Sequence, residues 1–89
     1  MKMINRNNAQ AMIQKQIKTN DHLVITLATY KRDRKIHIEK SGDQFTLTQE
    51  GYHHDTFEGL TEKEMFSLLK KKMTIEFPRS HKLYIAFKS

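Results

Sequence analysis

The sequence predicts a single α+β domain spanning residues 1–89, in which two helices cover one face of an antiparallel sheet of about four strands. Two stretches repeat apolar residues at helical spacing, three shorter stretches alternate apolar with polar residues as strands do, and a fourth is apolar on both faces as an interior strand is. The predicted order of elements is α-β-β-β-α-β, and an alternative assigns the last residues to a hairpin of their own. Two helices on one sheet face form the two-layer arrangement that buries such apolar faces.

The first predicted helix covers residues 8–18. Its apolar residues recur at intervals of three and four positions, and they are Ala9, Met12, Ile13 and Ile17. We expect the side chain of Asn7 or Asn8 to cap the first turn. The polar segment 19–21 then ends the helix.

Three strands are predicted to follow as an antiparallel meander. Residues 22–31 are apolar on both faces, which is typical of an interior strand, whereas residues 35–40 bury only Ile36 and Ile38. The third strand surrounds Phe45 and Leu47. Between the last two strands, segment 41–43 predicts a tight turn, because its glycine accepts positive φ. Residues 52–57 fit either a continued strand or a loop.

The second helix has the clearest start signal. Thr61 followed by Glu64 forms a capping box, and Leu60 with Met65 can form a hydrophobic staple. The helix is expected to end near Met73. Residues 74–77 alternate as a short further strand would, and residues 83–87 predict the last strand.

The charged residues are segregated along the chain. Residues 1–40 contain nine Lys/Arg and three Asp/Glu, residues 41–69 contain one and six, and residues 70–89 contain six and one. A fold that joins the two basic segments would produce one basic surface.

Two clusters of cations are the candidate binding residues. One lies in the hairpin that joins the predicted strands 22–31 and 35–40, and the other lies on the second helix. They are Lys31, Arg32, Arg34, Lys35, Lys70, Lys71 and Lys72. Arginine suits bidentate contact with phosphate, and lysine near a helix C-terminus also complements the helix dipole. The pattern favours a non-enzymatic binding or regulatory protein whose partner is nucleic acid or, alternatively, an acidic protein.

Catalytic, metal and cofactor sites are not predicted. The chain has no cysteine, and the one local cluster, His53-His54-Asp55, places neighbouring side chains on opposite faces of an extended segment. A small metal-free ribonuclease, in which a histidine near cations performs acid–base chemistry, is the third functional alternative.

The α-β-β-β-α order resembles that of double-stranded-RNA-binding domains and of small ribonuclease toxins. The first family carries basic residues at the start of the second helix, where this chain has Thr61-Glu62-Lys63-Glu64. Some members of the second family have paired histidines between the first two strands, whereas His53-His54 here follows the third predicted strand. No family is assigned on this similarity.

The expected location is the cytoplasm, with no membrane partner. No apolar run approaches the roughly 18 residues of a membrane span, and residues 1–8 are too polar for the apolar core of a signal peptide. Homodimerisation through an exposed strand is left open, because a chain of this size has a modest core.

Overall fold

A computed structural model describes residues 2–29, 34–51, 54–77 and 81–88. These residues form a six-stranded antiparallel sheet and two α-helices. In chain order the elements are β1 (Lys2–Asn5), a 3-10 helix (Arg6–Asn8), α1 (Ala9–Ile17), β2 (His22–Ala28), β3 (Lys35–Ser41), β4 (Gln44–Glu50), β5 (His54–Leu60), α2 (Glu62–Glu76) and β6 (Lys82–Lys88). Across the sheet the strands are ordered β1-β6-β2-β3-β4-β5.

The predicted fold class is therefore wrong in the number of strands and in their order. The sheet has six strands instead of about four, and the elements run β-α-β-β-β-β-α-β instead of α-β-β-β-α-β. The two missed strands, β1 and β5, are the edges of the sheet. β1 buries only Ile4, and β5 buries no residue at all among those described. Edge strands with few inward side chains carry little of the hydrophobic alternation from which strands are predicted.

The strand register divides the side chains between two faces. Ile25 on β2 lies opposite Ile38 on β3, which lies opposite Leu47 on β4, and all three are buried. Their neighbours Thr26 and His37 point to the other side and are half-buried. The buried face forms one core with the inward side chains of both helices, which are Ala9, Ile13, Ile17, Met65, Leu69 and Met73.

α1 confirms the predicted first helix to within one residue at each end, but its predicted cap is wrong. Asn8 occupies the N-cap position without a side-chain hydrogen bond. Its backbone angles, φ −92° and ψ −11°, are already helical because the 3-10 helix leads directly into α1. A capping side chain requires an extended backbone at that position.

The start of α2 confirms the capping box. The Glu64 backbone N–H donates to Thr61 Oγ1 at 3.2 Å, and the Thr61 backbone N–H donates to Glu64 Oε1 at 3.0 Å. The hydrogen bond from the Thr61 backbone, supported by the Thr61 side chain, lowers the pKa of Glu64 below its ordinary value.

The end of α2 lies beyond the predicted position. The helix continues past Met73 to Glu76, so residues 74–77 do not form the short strand that their alternation suggested. The stripe of buried residues simply continues, because Met73 and Glu76 follow Met65 and Leu69 on the same side.

Two glycines have a left-handed backbone conformation that other residues rarely adopt. Gly42, with φ +62°, forms the predicted turn between β3 and β4. Gly59, with φ +67°, lies where the β4–β5 register shifts: Leu47 pairs with Phe57 but Phe45 pairs with Leu60. β5 therefore contains one residue more than β4 at this point, which makes a β-bulge.

Candidate functional site

Several elements meet at one end of the sheet, which we call the basic end. β1, β2, β4 and α2 terminate there, and β3, β5 and β6 begin there, as the pairs Asn5–Lys82, Ala28–Lys35 and Glu50–His54 show. Its described Lys and Arg residues are Arg6, Arg34, Lys35 and Lys82. They come from both basic segments of the sequence, so the fold joins the two segments.

The opposite end of the molecule is more acidic. It contains the start of α2, the β3–β4 turn and the bulge of β5. Four of the six acidic residues of segment 41–69 lie there, namely Asp43, Glu58, Glu62 and Glu64, whereas Glu50 and Asp55 lie at the basic end. The charge segregation along the sequence is thus partly preserved between the two ends.

Arg6 links the 3-10 helix to the end of α2 through a hydrogen bond. Its Nη1 donates to the carbonyl oxygen of Phe77 at 2.6 Å, and its backbone N–H donates to the carbonyl oxygen of His81 at 2.8 Å. A cation at the C-terminus of a helix complements the negative end of the helix dipole. Arg6 was not among the predicted site residues, and its distance of 71 positions from Phe77 left no local signal in the sequence.

Arg34 is the second arginine at the C-terminus of α2. Its Nη1 donates to the carbonyl oxygen of Glu76 at 3.4 Å, and its own carbonyl accepts from the backbone N–H of Thr29 at 3.1 Å. This predicted binding residue is half-buried and therefore has a structural role as well.

A buried polar pair lies under Arg34. Glu76 and Gln49 are both fully buried, and Gln49 Nε2 donates to Glu76 Oε2 at 2.6 Å. Gln49 Oε1 has no hydrogen-bond partner within the described residues. Gly51 borders the pair so closely that a Cβ there would overlap Glu76 Oε1. The absence of a side chain at Gly51 is what makes room for the carboxylate.

A groove of about 270 Å³ separates the start of α1 from the second half of α2. Its lining consists of Arg6, Asn7, Gln10, Phe66, Leu69, Lys70, Met73 and Thr74. Two cations and three polar side chains surround an apolar floor, and the lining contains no carboxylate among the described residues. Such a surface can accept an anionic group between the guanidinium of Arg6 and the ammonium of Lys70.

The three predicted lysines of α2 do not form one patch. Lys70 lines the groove with Arg6, whereas Lys71 lines a second groove of about 460 Å³ between α2 and β5. Lys72 lies with its Nζ 4.9 Å from the ring centre of Phe57, a cation–π contact. Consecutive helix residues point about 100° apart, which separates these side chains.

The hairpin residues are only partly described. Lys35 lies on the face of the sheet away from the helices, opposite Glu50 and Ala28 in register. Lys31 and Arg32 lie outside the described residues. Of the predicted hairpin cluster, the structure therefore places Arg34 beside α2 and Lys35 on the sheet.

Sequence reasoning missed a hydrogen-bonded chain that crosses three strands on that same face. Thr26 Oγ1 lies 3.1 Å from His37 Nδ1, and His37 Nε2 lies 3.1 Å from Glu50 Oε2. If Nε2 carries the proton and donates to Glu50, Nδ1 accepts from the Thr26 hydroxyl. The side chains of His37 and Glu50 are 33% and 49% exposed, and neither residue lines the grooves described above. We interpret the chain as a cross-strand contact that orients the imidazole.

The described part of the chain contains neither a metal-binding cluster of side chains nor a helix that could span a membrane. No three His, Asp or Glu side chains converge there as a metal site would need. Of the His53-His54-Asp55 cluster, His53 lies outside the described residues. Neither described helix has the length and apolarity that crossing a membrane requires.

Comparisons with protein-family models, curated proteins and solved structures find no match to this chain. The similarity of element order to double-stranded-RNA-binding domains and ribonuclease toxins also does not hold, because the chain begins with an additional strand and has four consecutive strands before α2. The function must therefore be argued from the residues alone.

Proposed function

We propose that the protein is a small non-enzymatic binding or regulatory protein of the cytoplasm whose basic end contacts the phosphate backbone of nucleic acid. The observation that supports this proposal most is the groove shared by Arg6 and Lys70, whose lining contains no carboxylate among the described residues. A groove with two cations, polar rims and no opposing charge attracts phosphate.

The arrangement of the other cations supports the same proposal. Arg34 lies at the end of α2, while Lys35 and Lys82 stand at the same end of the sheet, on the face away from the helices. Phosphates along a nucleic-acid backbone repeat regularly, so a binding surface needs cations spread over several positions instead of one cluster. The basic end offers such a spread.

The N–H donors of the Arg6 guanidinium can contact Phe77 and a phosphate at the same time. One N–H of its guanidinium is used by the carbonyl of Phe77. A guanidinium has five N–H donors in a fixed plane, so a second partner can be bound without breaking the first contact. The contact with Phe77 holds the guanidinium at the groove, which reduces the entropy lost when a phosphate binds.

The proposal is tested by titrating duplex DNA, duplex RNA and single-stranded RNA at several salt concentrations between ~50 and ~200 mM. We expect the logarithm of the binding constant to fall linearly with the logarithm of salt concentration. Lys70→Gln should weaken binding to all sequences alike and reduce that slope by about one. Fluorescence anisotropy with labelled oligonucleotides measures both quantities.

Lys63→Gln is the matched control, because it removes the same charge from the opposite end of α2. It should leave the slope unchanged if the basic end is the contact surface, and an equal effect of both variants would contradict the proposal. Absence of binding to all three nucleic acids at the lower salt would also contradict it. In that outcome an acidic protein becomes the partner to seek.

A further inference from the structure

The face of the sheet away from the helices, which we call the open face, is covered by no helix of the described chain. Its side chains include Met3, Asn5, Val24, Thr26, His37, Thr48, Thr56, Tyr84 and Ala86. Met3 and Val24 are 40% and 38% exposed. They are two of the three large apolar side chains that the described residues expose, and the third, Ile75, lies on α2.

Charge on the open face is divided between its halves. The half formed by β1, β6 and β2 carries Lys82 and Lys88 and, among its described residues, no acid. The half formed by β3, β4 and β5 carries Glu39 and Glu50, with Lys35 beside Glu50. The face is therefore complementary in charge to a second copy of itself, provided that the copies are placed with unlike halves opposed.

We propose that two copies of the protein pack their open faces together about a twofold axis parallel to the strands. This axis places β6 of one copy over β4 of the other and β2 over β3. Lys82 and Glu50 stand at the same end of their strands, so the axis brings them together twice. An axis perpendicular to the strands would instead place β6 over β6, with Lys82 facing Lys88, and like charges would meet.

The dimensions fit a stable interface. Five strands of seven residues and one of four, spaced at ~4.8 Å, give a face on the order of 600 Å². Each partner in an interface of standard size buries about 800 Å². The molecule measures 32 × 24 × 18 Å, and its smallest dimension accommodates a single sheet with one helix layer. Packing two such sheets face to face completes a β-sandwich core.

The dimer also has a consequence for nucleic-acid binding, and this consequence alone rests on the proposed function. An axis parallel to the strands leaves the basic ends of both copies on the same side of the dimer. The two grooves lined by Arg6 and Lys70 then lie near the same end of the dimer, on its two outer helix layers. The dimer itself is argued from the open face alone.

Sedimentation equilibrium over a range of protein concentrations tests the dimer in the absence of nucleic acid. We expect wild type to associate to twice the mass of one chain. Val24→Lys should raise the dimer dissociation constant at least about tenfold, because it places a charge within the interface. Ile75→Lys makes the same change on α2, outside the open face, and should leave the constant unchanged.

A charge exchange tests the direction of the axis. Lys82→Glu and Glu50→Lys should each weaken the dimer, and the double variant should restore it. Lys82 is exposed and the side chain of Glu50 is about half exposed, so the charge variants should fold. They therefore test the dimer even if Val24→Lys does not fold. A monomeric wild type, equal effects of Val24→Lys and Ile75→Lys, or a double variant no tighter than the single ones would overturn the proposal. Because Lys82 also lies at the basic end, nucleic-acid binding is judged separately, from Lys70→Gln and Lys63→Gln, which both lie on α2 and outside the open face.

Discussion

The two ends of α2 are held in different ways. At its start, Thr61 and Glu64 satisfy each other's backbone N–H groups across three residues. At its end, the carbonyls of Glu76 and Phe77 accept hydrogen bonds from Arg34 and Arg6, which are 42 and 71 positions away. The start can form in an isolated segment, whereas the end requires that the hairpin and the 3-10 helix are already in place.

This difference predicts where the molecule is sensitive to substitution. A change at the local end of α2 removes one capping interaction and leaves the rest of the fold intact. A change at the distant end disturbs contacts that join three parts of the chain, so its cost should be larger.

The largest expected effect is at Gly51. Gly51→Ala would place its Cβ 2.7 Å from the Cδ of Glu76 and overlap Oε1. Because Glu76 is buried and hydrogen-bonded to Gln49, its carboxylate cannot easily move away. We expect a loss of about 3 kcal/mol in the free energy of unfolding, measured in urea.

Gly59→Ala is the control for Gly51→Ala. Nothing lies within 4 Å of a Cβ at Gly59, so its cost is the positive φ alone, about 1 kcal/mol. Equal costs at the two glycines would show that Glu76 is not held against Gly51.

The second effect concerns Arg6. Arg6→Met keeps the aliphatic stem but leaves the carbonyl oxygen of Phe77 without its guanidinium donor. We expect destabilisation of about 2 kcal/mol, because a hydrogen bond from a charged group is lost. Lys15→Met, on the exposed side of α1, removes a similar charge and should change the melting temperature little. Equal shifts for both variants would mean that charge, and not the contact with Phe77, is responsible.

The third effect is at the local end of α2. Thr61→Ala should destabilise the protein by about 1 kcal/mol through loss of the cap, measured by thermal or urea unfolding. Thr61→Ser retains the hydroxyl and should remain close to wild type. If Thr61→Ala and Thr61→Ser have the same free energy of unfolding, the side chain of Thr61 does not cap α2 in solution.

The smallest effect is a pH dependence at Glu64. Its pKa is lower in the folded protein than the ordinary value of 4.5, so its stabilising contribution is complete above that pH. The contribution is lost as pH falls from there through the lowered pKa. Glu64→Gln should therefore lose less stability than wild type between neutral and acidic pH. Parallel melting curves for the two proteins across this range would contradict the assignment.

The difference between contacts within a segment and contacts between distant segments also explains which parts of the structure could be predicted from the sequence. Thr61 and Glu64, the stripe of α1 and the turn at Gly42 were all predicted, because each depends on residues close together in the chain. The predicted end of α2 at Met73 was wrong, since burial of Glu76 depends on Gln49 and Arg34. The amino-acid pattern around Glu76 gives no indication that Gln49 and Arg34 lie beside it in the fold.

The candidate site was predictable only in outline. Segregation of charge meant that a fold joining the two basic segments would produce one basic surface, and the topology brings Lys82 to the same end of the sheet as Arg34 and Lys35. Which cations share a groove could not be predicted, because Arg6 and Lys70 are 64 positions apart and meet only where the 3-10 helix and α2 lie side by side on the sheet. Lys71 and Lys72 follow Lys70 directly in the chain but point toward β5.

The bulge in β5 determines how far the sheet can grow. An exposed edge strand offers unpaired N–H and C=O groups to any passing strand, and long regular edges of this kind lead to fibrous aggregates. β5 is interrupted at Gly59, and Asp55 and Glu58 stand exposed along it. An added strand would lose its register at the bulge and would meet the negative charges of Asp55 and Glu58, which precede Gly59 in the strand. This edge is thereby protected against open-ended strand addition, which leaves β1 as the edge at which another strand could pair.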